Sequence, residues 1–142
     1  KLSKSMGVKK YLLPSSCSNY RRIKSIEIAN ENFKLNPLTD YSKSNSLAEE
    51  SILNIGNNNF QCNAFRQGTL FGYSPRLRLD IAINVMTYGI YKNNILPVMK
   101  DGTQRRPMLH IKGAIRVMKF FIENPNNLNN EIYNIGSNEN NY

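Results

Sequence analysis

The order strand, helix, strand over the first half of this chain, with a connection of helical length between the strands, constrains its fold more than any other feature. Residues 8–14, Val-Lys-Lys-Tyr-Leu-Leu-Pro, read as a short strand running into the small residues Ser15, Ser16, Cys17 and Ser18. Residues 60–65, Phe-Gln-Cys-Asn-Ala-Phe, alternate at period two and read as a second strand. Between them, residues 36–55 read as a helix. Thr39 or Asp40 offers an N-cap, and Pro37 lies just upstream, where a chain entering a helix tolerates it. Tyr41, Asn45, Ala48, Ile52 and Ile55 recur at spacings of four, three, four and three, which places them on one face. That face is apolar except at its start, and Gly56 with the asparagines after it ends the helix. A helix carried between two strands favours parallel pairing, so the expected class is α/β, a parallel sheet with flanking helices.

The remaining segments fit around this unit. Residues 1–6 read as the last turns of a helix stopped by Gly7, and residues 66–76 as a long loop holding Gly68, Gly72 and Pro75. A second helix is expected from Leu79, with Leu79, Ile83, Met86 and Ile90 on one face, Asp80 near its start and Asn94 closing it. Residues 95–99 and 107–111 read as short strands about a turn containing Asp101-Gly102, a hairpin-like signal. A third helix over about residues 113–123 would bury Ala114, Val117, Met118 and Phe121, and residues 131–136 would form a last strand.

Composition excludes several classes of protein. A length of 142 residues suits one domain, on a prior of about 100 to 200 residues. No run of about 18 apolar residues is present to span a membrane, and no apolar stretch follows the basic start as in a secretory signal. The first residue is not Met, so the chain reads as processed, cut or taken from a longer frame. Cys17 and Cys62 are too few and too far apart for a disulfide framework or a CxxC metal site, which points to reduced thiols in a cytoplasmic protein. His110 is the only histidine and has no cysteine partner, so no metal site is expected and its role reads as structural. A formal charge of +9 favours an anionic partner. The basic residues are scattered in pairs rather than striped with aromatics, which argues against nucleic acid.

Four segments in order then carry a resemblance: Ser-Ser-Cys-Ser-Asn-Tyr after the first strand, Asn-Pro-Leu-Thr-Asp-Tyr-Ser-Lys-Ser-Asn opening the helix, Arg-Gln-Gly-Thr-Leu-Phe-Gly-Tyr-Ser-Pro-Arg-Leu-Arg after the second strand, and Asp-Gly-Thr-Gln-Arg-Arg-Pro-Met-Leu-His-Ile. Together with the closing Ile-Tyr-Asn-Ile-Gly-Ser, the chain resembles the extended short-chain dehydrogenase/reductases, the NAD-dependent nucleotide-sugar epimerases and dehydratases. The resemblance implies a partial Rossmann-type sheet plus part of a smaller substrate-binding region, with residues 1–142 belonging to one domain. It also implies NAD as cofactor, a nucleotide-diphosphate sugar as partner and a homodimer for the full-length protein. By the same resemblance Ser16, four before Tyr20, falls at the catalytic hydroxyl, and Tyr41 at the catalytic tyrosine beside the cofactor. Arg106, four before His110, falls at the substrate diphosphate, and Asn84 at a helix position that contacts the nucleotide.

In such enzymes the phenol exchanges a proton with a sugar hydroxyl while a hydride moves to or from the nicotinamide. A phenol of ordinary pKa, about 10, is ionised in only about one molecule in a thousand at neutral pH, so a neighbouring cation is needed. The family places a lysine four residues on from the tyrosine, where this chain has Asn45. Lys43 is about 200° away around the helix and cannot replace it. Arg21 and Gly113 also depart from the family pattern, where a glycine and an aspartate are usual, and loss of that aspartate would remove a helix cap. Cys17 and Ser18 stand where 4,6-dehydratases carry adjacent acids, which favours epimerisation or simple oxidoreduction. No glycine fingerprint follows a strand, so the chain reads as the middle of such an enzyme, without its principal dinucleotide site. A non-catalytic member that keeps the fold, and a basic interaction module, stay open as alternatives.

Overall fold

The computed structural model describes residues 1–20, 27–98, 101–103, 105–124 and 130–137. In chain order the elements are α1 (Leu2–Ser5), β1 (Lys10–Ser16), a 3-10 turn (Cys17–Tyr20), α2 (Asp40–Ile55), β2 (Gln61–Gln67), β3 (Thr69–Phe71), α3 (Ala82–Asn93), β4 (Met108–His110), α4 (Ile111–Glu123) and β5 (Glu131–Ile135). β1, β2 and β5 form a three-stranded sheet in that order, parallel at both pairings, as the strand–helix–strand pattern predicts. β2 is central and buried from Cys62 to Gln67, the condition of a parallel strand covered on both faces. Successive residues of a strand point to opposite faces, and here Arg66 meets α2 while Phe65 meets α4. On the α4 side the Phe121 ring stands edge-on to Phe65 at 4.7 Å and to Tyr133 at 5.0 Å.

α2 begins as the sequence suggests. Thr39 is the N-cap: its hydroxyl accepts from Ser42 N at 3.2 Å, and Ser42 Oγ accepts from Thr39 N at 3.1 Å, so each satisfies an amide of the other. The buried face differs from the expected stripe. Ser42 and Glu49 are buried, whereas Tyr41 is 64% exposed and the rest of the stripe is half-buried. A buried carboxylate with polar partners across the sheet turns the helix by about one residue, about 100°, from where a count of apolar positions would put it.

The second half holds most of the corrections. β4 does not form a hairpin with residues 95–98; it pairs in parallel with β3, which lies inside the stretch expected to be a loop, in the register Thr69↔Met108 and Phe71↔His110. Residues 95–98 form no strand. Asn94 ends α3 in the left-handed region at φ 53, Ile95 N returns to Gly89 O, and the Pro97 ring sits against Gly89, so this segment wraps the end of α3. Met99 and Lys100 lie outside the described residues, as does Arg21. α3 starts at Ala82 rather than Leu79; Leu79 and Ile90 are exposed, and Asp80 precedes the helix and pairs with Arg78. α4 starts at Ile111 rather than Gly113. His110 Nδ1 accepts from Lys112 N at 3.1 Å, so the imidazole takes the cap position and Gly113 is an interior residue. Among the described residues no helix is long and apolar enough to cross a membrane.

Candidate functional site

In-phase pairing sets the last residues of the three parallel strands side by side: Ser16 is opposite Gln67, and Gln67 opposite Ile135. A cavity of about 320 Å³ opens at this end of the sheet, and its wall includes Ser16, Tyr41, Gln67, Arg76, Arg78 and Asn84. A larger cavity, about 580 Å³, lies at the opposite ends of β1 and β2 beside Lys9, Lys10 and Gln61, and neither an acid nor a hydroxyl lines it. Three of the four residues expected at a site, from β1, α2 and α3, therefore share one wall. Arg106 does not: it is exposed, and its charge reaches Cys17 instead. Burial pushes the Cys17 thiol up, with Arg106 pulling against it.

The polar groups of the wall differ in how they are bonded. Ser16 Oγ accepts from Ser18 N at 3.2 Å and from Ser18 Oγ at 2.9 Å, which leaves its own proton free to donate. No hydrogen bond from the described residues reaches the Tyr41 phenol. One turn along α2, the Asn45 Nδ2 is buried and, among the described residues, has no partner. A buried donor left unpaired costs about 1–3 kcal/mol. Asn84 is an internal staple as well as a wall residue: its Oδ1 accepts from Gly72 N at 3.2 Å and its Nδ2 donates to Arg78 O at 3.0 Å. Arg78 in turn donates through Nε and Nη2 to the Asp80 carboxylate, at 3.0 and 2.5 Å.

Gly72 is the tightest point of the wall. Its φ is +109, and a Cβ there would lie 2.7 Å from His110 Nε2. Gly72→Ala should therefore cost about 1–3 kcal/mol in backbone strain alone, read as a lowered thermal midpoint; an unchanged midpoint would show that the loop relaxes freely.

Beneath the cavity lies a polar network that the sequence alone does not reveal. Arg66 from β2 forms a two-pronged ion pair with Glu49 of α2, Nη2 to Oε2 at 2.8 Å and Nε to Oε2 at 3.1 Å, with both side chains almost wholly buried. Ser15 Oγ and Asn19 Nδ2 donate to Glu49 Oε1. Arg66 Nη1 donates to Tyr20 OH at 2.9 Å, and Tyr20 donates on to Asn134 Oδ1 of β5. Burial pulls the Arg66 pKa down, but its bonds to Glu49 and Tyr20 and the Glu49 charge outweigh burial and raise it. The network joins β1, α2, β2 and β5 immediately behind Ser16.

The sequence model of the NAD dependent epimerase/dehydratase family matches residues 1–136. Solved structures of the same fold include dTDP-glucose 4,6-dehydratase from Bacillus anthracis in complex with NAD, with TM-score 0.82, 22% identity, and coverage of 96% of this chain and 43% of that one. The NAD-dependent NDP-hexosamine 5,6-dehydratase TunA matches at TM-score 0.82 and 25% identity, covering 96% of this chain and 44% of the other. UDP-glucuronic acid 4-epimerase from Bacillus cereus, in complex with UDP-glucuronic acid and NAD, matches at TM-score 0.74 and 26% identity over 90% of this chain and 40% of the other. The chain thus spans less than half the length of these similar proteins. The parallel sheet with helices on its faces is the Rossmann-type arrangement that the resemblance implies. With the family match running over nearly the whole sequence, the chain belongs to the NAD-dependent epimerase/dehydratase family.

Proposed function

We propose that the protein containing this chain is an NAD-dependent nucleotide-sugar oxidoreductase, in its simplest form an epimerase, acting at one sugar hydroxyl with weakened chemistry. The observation that carries this reading is the convergence of Ser16, Tyr41 and Asn84 on one cavity at the carboxyl ends of the parallel strands, where open α/β sheets bind ligands. Residues 1–142 then supply the catalytic and substrate side of one domain.

Bound NAD would supply the hydride acceptor. Tyr41 takes the proton of the sugar hydroxyl, and Ser16, its own proton free, donates to the same oxygen. Asn45, one turn from Tyr41, is an amide that can hydrogen-bond a ribose hydroxyl but carries no charge. Asn84 has one N–H and one lone pair left for a ligand after its two internal bonds. Arg106, exposed and outside the cavity wall, suits a substrate diphosphate, because a guanidinium can pair with two phosphate oxygens. Neither Cys17 nor Ser18 is a carboxylic acid able to protonate a departing hydroxyl, which supports epimerisation over dehydration.

Asn45 favours a second reading, a member that binds nucleotide sugar and NAD without turning over. The two separate in one experiment on the full-length protein. The enzyme reading expects NAD binding and a nucleotide-sugar-dependent change in nicotinamide absorbance that disappears in Tyr41→Phe while binding persists. Binding without any such change supports the second reading, and failure to bind NAD sinks both.

A further inference from the structure

We propose that Arg76 is the anion-binding group of the cavity and that the sugar received there carries a carboxylate, as in a nucleotide-linked uronic acid. This rests on the reading of the protein as one that takes nucleotide sugars. No aspartate or glutamate lines the cavity, and among the described residues its charged lining groups are Arg76 and Arg78. The two guanidiniums differ in what is left to them. Arg78 gives Nε and Nη2 to the Asp80 carboxylate, so its charge is balanced within the chain. Arg76 makes no ion pair or hydrogen bond among the described residues. One uncompensated positive charge therefore stands on the wall that also holds Ser16 and Tyr41.

The loop that carries Arg76 is held at both ends by one side chain. Asn84 accepts from Gly72 N and donates to Arg78 O, so the backbone between those residues is pinned to α3. Pro75, immediately before Arg76, restricts it further. A guanidinium on a fixed loop loses less freedom on pairing than one on a free chain, and its fork matches the paired oxygens of a carboxylate or a phosphate. Cavity size separates those two anions. At about 320 Å³ the space is at the low end of ligand cavities, about 300 to 1,000 Å³, with room for a sugar and not for a whole nucleotide sugar. With the sugar at Ser16 and Tyr41, the diphosphate and base extend beyond the wall, where Arg106 is exposed. The group left for Arg76 is an anion on the sugar itself, and a hexose oxidised at its terminal carbon supplies one as a carboxylate. An uncharged hydroxymethyl group in the same place offers the guanidinium nothing that water does not.

The test compares UDP-glucuronic acid with UDP-glucose, which share the diphosphate and differ at the terminal carbon of the sugar, by calorimetric titration of the full-length protein with NAD present. The parent should bind the uronic acid more tightly. Arg76→Met should weaken UDP-glucuronic acid binding about fivefold or more, the upper range for an ion pair open to solvent, and leave UDP-glucose unchanged. Arg76→Lys keeps the charge without the fork and should recover part of the loss. Arg116→Met, which removes an exposed cation of α4 that does not line the cavity, should change neither ligand. Retained UDP-glucose binding in Arg76→Met establishes that the fold is kept. Equal weakening of both ligands would place Arg76 at the diphosphate and overturn the carboxylate assignment, and no weakening of either overturns the proposal outright. A parent that binds neither ligand defeats the nucleotide-sugar reading and this proposal with it. Selective, Arg76-dependent binding without any nicotinamide change leaves the proposal standing and defeats only the enzyme reading.

Discussion

Asn45→Lys is expected to raise the turnover of the full-length protein tenfold or more. An opposite charge within a few ångströms moves an ionisation by about one to three units, and the tyrosinate fraction at neutral pH rises in proportion until it saturates. Position 45 is four residues from Tyr41 along α2 and half-buried, so an ammonium there is less screened by water than a fully exposed charge would be. The substitution also breaks no hydrogen bond made by the present amide nitrogen, which is buried without a partner among the described residues. Steady-state rates with NAD and a nucleotide sugar measure the effect, and an unchanged rate would mean that position 45 does not face the reacting phenol.

The second large effect is on stability. Arg66→Met should cost about 3–5 kcal/mol, the range for removing one member of a buried ion pair. It strips the guanidinium from the Glu49 carboxylate and removes a donor from Tyr20, both buried. Combining it with Glu49→Gln removes both charges and should recover a good part of the loss, since the cost lies mainly in the uncompensated charge. Urea denaturation at neutral pH provides the comparison, and a single variant within about 1 kcal/mol of the parent, the range of an exposed pair, would refute the role given to this pair. The effect also bears on the candidate site. Glu49 accepts from Ser15, the neighbour of Ser16, and lies on the helix that carries Tyr41, so the pair fixes the strand end and the helix start relative to each other.

The parallel strand–helix–strand unit was legible because its signals are local: the Thr39 cap, periodicities of 3.6 and two, and a glycine stop. β3 was not, since three residues between Gly68 and Gly72 carry no period to read. Its partner β4 was assigned to a hairpin because Asp101-Gly102 is a local signal, whereas the pairing of Thr69 with Met108 depends on the chain folding back over a helix. Glu49 was hidden for a related reason. A stripe counted from apolar residues passes over a buried carboxylate, although Ser42 and Glu49, seven residues apart on one helix, share a face. Arg66 was placed in a loop because a charge follows an apolar strand, yet it is the residue that makes burying Glu49 tolerable. At the site, motif order pointed to Ser16, Tyr41 and Asn84 together. The resemblance put Arg106 at the substrate diphosphate, and it is exposed and outside the cavity wall.

Residues 27–39 contain no helix or strand, yet the network runs through them. The Glu31 carbonyl accepts from Arg66, its carboxylate accepts from Asn134 N at 2.7 Å, and Ala29 O accepts from Asn134 Nδ2 at 3.1 Å. Asn36 N is bound to Asn19 O at 3.2 Å. A stretch that looks like a natural place to open the backbone is thus stitched to β2, β5 and the turn after β1. Where chain breaks, grafted tags or new termini are tolerated depends on how the local backbone is bonded rather than on whether it is regular. By that measure this connection is as much a part of the framework as the strands it joins.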